Sequence, residues 1–202
     1  MVKQPAPPRP PEMPLEHQKF LAFEHLLGWT AAVIAQSERI TEARNALLAT
    51  HKEGAEQAQK DPEQWGKTLW KEHELACRLA SERFQTERHL FCNAAFKLLE
   101  YSQWVRQLGL LDDATFVDLD LFADDIKVMR DKNVHEIEYF KGRGLHPQDW
   151  EYESAATGRV DASATFETKI GGRLDWVVLG DLARHLFGHF RGLGPFTPRL
   201  KP

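Results

Sequence analysis

The feature that most constrains this chain is the run from Leu15 to Leu108, which is written in helix formers with one well-marked break. Phe20, Phe23, Leu27 and Ile34 recur at helical spacing, and "ITEARNALLATHKEGAEQAQK" continues with residues of high helix propensity. The spacing predicts one long helix, or two in succession, over this first stretch. "DPEQWG" interrupts it, with Asp61 placed to cap a new helix and Pro62 at its first position. A second helical block then runs from about Glu63 to Leu108. Its later half, "RHLFCNAAFKLLEYSQWVRQL", is strongly apolar on one side and must pack against other helices.

"LDDATF" carries a further start signal, with Asp112 or Asp113 as the cap. The block it opens, "FVDLDLFADDIKVMRDKNVHEIEYFKGRG", reads as a helix ended by Gly142 or Gly144 in a left-handed conformation. The style then changes. "SAATGRVDASATFETKIGGRLDW" is β-branched with a Gly-Gly turn, so a hairpin or short sheet is predicted over about 154–175. "WVVLGDLARHLFGHF" returns to helical spacing through Val178, Leu182, Leu186 and Phe190. The expected architecture is mainly α: a helical bundle with a C-terminal β-hairpin and a final short helix. Residues 1–14 read as a flexible proline-rich tail, 15–145 as the bundle, 146–191 as a hairpin and helix packed on it, and 192–202 as a second tail.

Composition enters as a filter on function. With 202 residues, 42% of them hydrophobic, six Trp and twelve Phe, the chain can bury a core without disulfides or metals. A net charge of −4 argues against a protein that coats nucleic acid non-specifically. The balance is uneven: 17 basic and 23 acidic residues lie in 1–140, against 9 and 7 in 141–202. Cys77 and Cys92 have neither a CxxC spacing nor a secreted framework around them, and are expected to be reduced, buried thiols. No apolar leader is visible at the N-terminus, and Glu24 and His25 interrupt the most apolar segment. The expectation is a cytoplasmic protein with no membrane segment.

The stretch "MRDKNVHEIEYFKGRG" is the least ordinary. On a helix with Ile126 as reference, Leu119, Phe122, Met129, Ile137 and Phe140 fall within about 60° of it, and so do Arg130 and Asn133. Two polar residues on an apolar stripe need partners. Leu121, Val128, His135 and Tyr139 form a narrower stripe opposite, so the helix is expected to touch another helix or chain on both faces. Asp131 and His135 are spaced i, i+4, where a carboxylate can orient an imidazole. Arg130 and His135 lie about 140° apart on a straight helix and converge only through local distortion, a wrapped Arg or a second copy. The competing reading is structural: Arg130 pairs with an Asp of another helix, and His135 is a half-buried histidine held by Asp131.

"RDKNVH", Arg130 to His135, resembles the R-x4-6-H signature of HEPN domains, in which a polar residue follows the Arg; here that residue is Asp131. The similarity of setting spans roughly 15–145. It implies an α-helical bundle that dimerises with the motifs of two chains facing one another. It further implies a metal-independent endoribonuclease with no cofactor, in which His135 acts as general base on the 2′-OH or as acid at the leaving oxygen. Arg130 would hold the scissile phosphate, Asp131 would orient the imidazole, and Asn133 would bond the phosphate or a base. The products would be a 2′,3′-cyclic phosphate and a 5′-hydroxyl. Lys141 and Arg143, with Arg184, Arg191, Arg199 and Lys201, are candidates for an RNA-binding rim. The resemblance implies a homodimer, RNA as ligand, and an antitoxin or regulatory protein as a further partner in a toxin or defence system. Some members are non-catalytic, so a dimerisation or interaction module is the alternative. The β-rich segment and last helix lie outside the minimal domain.

Other motifs are weaker. His185 and His189 in "HLFGH" have a chelating i, i+4 spacing, but the Glu of HExxH is missing and no third ligand is near in sequence. None of the nine histidines has a Glu three positions before it, against a carboxylate-bridged di-iron bundle. The glycines form neither a GxGxxG nor a P-loop.

Overall fold

The computed structural model describes residues 13–135, 141, 143, 151–154, 158–161, 165–166 and 168–194. Helix α1, Leu15–Lys60, is one unbroken rod of 46 residues. Its small polar residues bond back to the preceding turn, Thr30 Oγ1 to the Leu26 carbonyl at 2.7 Å and Thr41 Oγ1 to that of Ser37 at 2.7 Å, so they enter the core with their donors satisfied. The expected break follows: Asp61 accepts from the Gln64 backbone N–H and Pro62 opens the short helix α2, Pro62–Gln64. A π-helical turn, Trp65–Leu69, leads without a gap into α3, Trp70–Gln107. The two rods lie side by side as a hairpin.

Helix α3 ends on Gly109, whose φ of 65° is open to glycine at little cost. Leu110 N–H bonds to Val105 O and Gly109 N–H to Arg106 O, the paired bonds of a Schellman cap. The chain then turns through a 3₁₀ segment, Asp113–Phe116, into α4, Val117–Asp120, and α5, Ala123–Val134. Asp112 caps the turn as expected, and the Thr115 hydroxyl and N–H hold its carboxyl below the usual carboxylate range. The region expected to be one helix is three pieces. The last ends at Val134 rather than at a glycine near 142–144, because Asn133, Val134 and His135 are all poor helix formers. Gly142 and Gly144 lie outside the described residues.

The predicted β segment is two small sheets. β1, Glu151–Ser154, pairs antiparallel with β2, Gly158–Asp161. β3, Thr165–Phe166, β4, Lys169–Ile170, and β5, Leu174–Asp175, form a three-stranded antiparallel sheet. Gly171 and Gly172, at φ 58° and 68°, make the β4–β5 turn that the Gly-Gly pair predicted.

Asp175 caps the final helix α6, Trp176–Gly192, by accepting from the N–H groups of Val177 and Val178. The buried face of α6 is Trp176, Leu179, Ala183, Leu186 and Phe190. Val178, placed on that face from the sequence, is exposed, and Leu182 only partly buried. The helix is integral to the core: the Phe190 ring packs edge-on to Phe23 at 6.4 Å and against Phe116 at 5.9 Å. Gly180 brings it close to α1, since an added Cβ would sit 2.6 Å from Ser37 Cβ. Gly180→Ala is therefore expected to lower stability by about 1–3 kcal/mol through overpacking, read as a lower denaturation midpoint at unchanged slope. Among the described residues, no helix is long and apolar enough to cross a membrane.

Candidate functional site

Helix α5 is fixed in place from three sides. Ile126 and Met129 are buried where it packs on α3, as the apolar stripe predicted. Upstream, the Arg106 guanidinium at the end of α3 grips the Asp120 carboxylate with two bonds of 2.9 and 2.7 Å and lies over the Phe116 ring at 5.0 Å. On another flank β5 packs against α5, and Arg173 Nη1 approaches Asp125 Oδ1 to 3.8 Å. The narrower stripe expected to make a second contact is not buried among the described residues: Leu121 is 77% exposed, and Val128 and His135 are only partly covered. Ile137, Tyr139 and Phe140 lie outside the described residues.

His135 follows the last helical residue, with φ −114° and ψ 27°, and its backbone N–H still bonds to the Asp131 carbonyl at 2.9 Å. Its Nε2 lies 3.8 Å from Asp131 Oδ1, so the i, i+4 pairing read from the sequence forms. The Asp131 side chain is 16% exposed and that of His135 43%, a shielded carboxylate beside an imidazole that solvent reaches. Because the helix stops at Val134, the straight-helix angle between Arg130 and His135 does not apply. Arg130 places its guanidinium over the Phe96 ring of α3, 4.9 Å from the centroid, which orients a planar cation at the α3–α5 seam.

Asn133 turns away from this surface. It lies against the buried Cys92 thiol of α3, and its Nδ2 is itself buried. Lys141 and Arg143 are exposed beyond the helix end. Of the wider basic rim, Arg184 is engaged by Glu38 at 2.9 Å and by Asp181 at 2.6 Å, and Arg191 lies 5.9 Å from the Phe187 ring. Arg199 and Lys201 lie outside the described residues.

Two further residues belong to this seam. Arg88 on α3 and Lys132 on α5 are 5% and 3% exposed, so the two helices that meet here bury basic groups where a plain bundle would place apolar ones. The signal for Arg88 was present: it occupies a helical-period position between Phe84 and Cys92 on the apolar side of α3. No family model, curated protein or solved structure matches this chain.

Cys92 is fully buried as expected, whereas Cys77 is only half-buried. Burial pushes the Cys92 thiol up to about 12, with the nearby Arg88 charge opposing the shift. A folded-state value above the unfolded one means that this thiol's contribution to stability is whole below about pH 9 and is lost as pH rises toward about 12. Titration with a thiol reagent at pH 8 in excess EDTA is expected to modify Cys77 rapidly in the native protein and Cys92 only after denaturation. Equal native rates would refute the assignment.

His185 and His189 are exposed on α6 and line a cavity of about 220 Å³ with Asp118 and Thr115. Among the described residues no third ligand joins them at coordinating distance.

Proposed function

We propose that the end of α5 is an RNA-cleaving site of the HEPN type, working without a metal through Arg130, Asp131 and His135. The observation that carries this reading is the Asp131–His135 pair: a shielded carboxylate 3.8 Å from an accessible imidazole at the open end of a helix. Imidazole exchanges protons near neutral pH, so His135 takes the proton from a ribose 2′-OH or delivers one to the departing 5′ oxygen. The Asp131 carboxylate orients the ring and stabilises the imidazolium as it forms. Arg130, stacked on Phe96, presents its remaining donors to the phosphate oxygens on which charge develops. The products are a 2′,3′-cyclic phosphate and a 5′-hydroxyl, Lys141 and Arg143 hold the strand beyond the helix end, and a second copy supplies the complementary acid or base. Asn133, directed at Cys92, serves the seam rather than the RNA. The site of action is the cytoplasm.

The test is cleavage of end-labelled RNA by the wild type, Arg130→Ala and His135→Ala in excess EDTA, with circular dichroism on each. Cleavage by the wild type alone, leaving cyclic phosphate ends, is the expected result; three indistinguishable profiles would end the nuclease reading.

A second reading, a non-catalytic dimerisation module, is favoured by the apolar residues this region leaves in solvent. Leu121 is 77% and Val117 56% exposed, four positions apart. If the region serves association alone, Leu121→Asp makes the protein monomeric by sedimentation and no RNA is cut by either form.

A further inference from the structure

At the far end of the α1–α3 hairpin, three side chains from two helices converge on one point. His51 Nδ1, His73 Nε2 and Cys77 Sγ lie within 4.8 Å of one another, with the sulfur 3.1 Å from His73 Nε2 and 3.7 Å from His51 Nδ1. We infer that these residues form a binding site for a zinc-like divalent transition-metal ion, with a fourth coordination position left to water.

The edge lengths fit the ion. Tetrahedral zinc with Zn–S of about 2.3 Å and Zn–N of about 2.0–2.1 Å requires S···N edges of about 3.5 Å, and the two observed edges bracket that figure. One thiolate and two imidazoles are also the donor set that zinc-like ions prefer over Mg²⁺ or Ca²⁺, which take oxygen. His51 is exposed and the other two half-buried, so solvent reaches the remaining position.

The surrounding backbone is shaped to this arrangement. Gly54, one turn beyond His51 and buried, faces His73 so closely that a Cβ at position 54 would come within 2.1–2.7 Å of three atoms of the imidazole ring. The absence of a Cβ at this position leaves room for the ring beside α1 with Nε2 3.1 Å from the sulfur. The other side of His73 meets Trp65, ring centroids 5.1 Å apart, and Trp65 opens the π-helical turn. That wider turn shifts the phase of the following helix relative to an uninterrupted α-helix, and with it the direction in which His73 and Cys77 point; such turns recur at functional sites.

The site is separate from the proposed nuclease. Cys77 and Cys92 are fifteen residues apart on the continuous helix α3, about 22 Å at 1.5 Å per residue, and Cys92 marks the α5 seam. Chelation is expected to empty the hairpin site and leave RNA cleavage unchanged, so either reading can fail alone.

The test uses the full chain without an affinity tag, stripped of metal and titrated with Zn²⁺ against a chromogenic chelator, then with Co²⁺ followed by visible spectroscopy. The expected result is a single tight ion per chain and a thiolate-to-cobalt charge-transfer band. Cys77→Ser should abolish the band, and Cys77→Ser, His73→Ala and His51→Ala should each weaken binding by at least about tenfold. Gly54→Ala should weaken it too by displacing the His73 ring, while His185→Ala with His189→Ala should leave it unchanged. Because His51 is exposed, His51→Ala keeps the test decisive if a helix-packing variant fails to fold. The proposal is overturned if no ion binds above background, if Cys77→Ser binds as the wild type does, or if binding follows His185 and His189.

Discussion

Changing His135 to alanine is expected to lower RNA cleavage by about 10²–10⁴-fold, the usual contribution of a positioned acid or base, without changing the helical content. The ring is part-exposed rather than set in the core. It lies one residue past the last turn of α5, with its side chain 43% exposed, and its contact with Asp131 is a long one at 3.8 Å. A long, part-exposed pair of that kind contributes about 0–1 kcal/mol to stability. Arg130→Ala is a less clean experiment, because it also removes the contact with Phe96, a cation–π interaction of roughly 0.5–2 kcal/mol. Arg130→Lys separates the two effects. It keeps the charge but loses the planar fork, so cleavage should stay low if the guanidinium binds phosphate through paired bonds and recover if any cation suffices. Asp131→Asn keeps the shape while removing the charge that supports the imidazolium, and should cost less activity than loss of His135. All four effects are measured as initial rates on one labelled RNA in EDTA.

What could be read in advance divides by the range of the interaction that decides it. The long helices, the break at Asp61–Pro62, the Asp112 cap and the Gly171–Gly172 turn are each determined within a few residues, and the structure has them. The Asp131–His135 pairing is local in the same sense. The buried face of α6 departs from the expected one at Val178 and Leu182 because "WVVLGDLARHLFGHF" is apolar on more than one side, so periodicity leaves its phase open. What selects the face is the close approach of Gly180 to Ser37 on α1, 143 positions earlier, and no local pattern contains that. The end of α5 was placed too late because an apolar repeat continuing through Ile137 and Phe140 outweighed the weak propensity of Asn133 to His135. The hairpin cluster was half legible: His73 and Cys77 share a helix face at i, i+4, but His51 stands 22 positions before His73 on the other rod, and a search for CxxC and HxxxH passes over it.

Trp176→Ala is expected to be among the most damaging single changes in the chain, at about 3–5 kcal/mol, because one side chain joins three helices. Trp176 is fully buried at the junction of β5 and α6. Its Nε1 donates to Thr41 Oγ1 of α1 at 3.0 Å, its ring meets Phe84 of α3 edge-on at 6.2 Å, and its backbone N–H bonds to Thr168 O at 3.1 Å. Truncation leaves a cavity that rigid neighbours on two long rods collapse around poorly, which places the cost in the upper half of that range. The lost hydrogen bond adds little, since the Thr41 hydroxyl still donates to Ser37 O and keeps a partner. Trp176→Phe isolates that small term: it retains most of the packing and should cost about 1 kcal/mol from the bond, plus the indole's extra volume. For a chain of this length a kcal/mol corresponds to roughly 2–4 °C, so calorimetry should find Trp176→Ala melting on the order of 10 °C lower and Trp176→Phe only a few degrees lower. Equal shifts would mean that the hydrogen bond, not the packing of the indole between α1 and α3, holds α6 to the bundle.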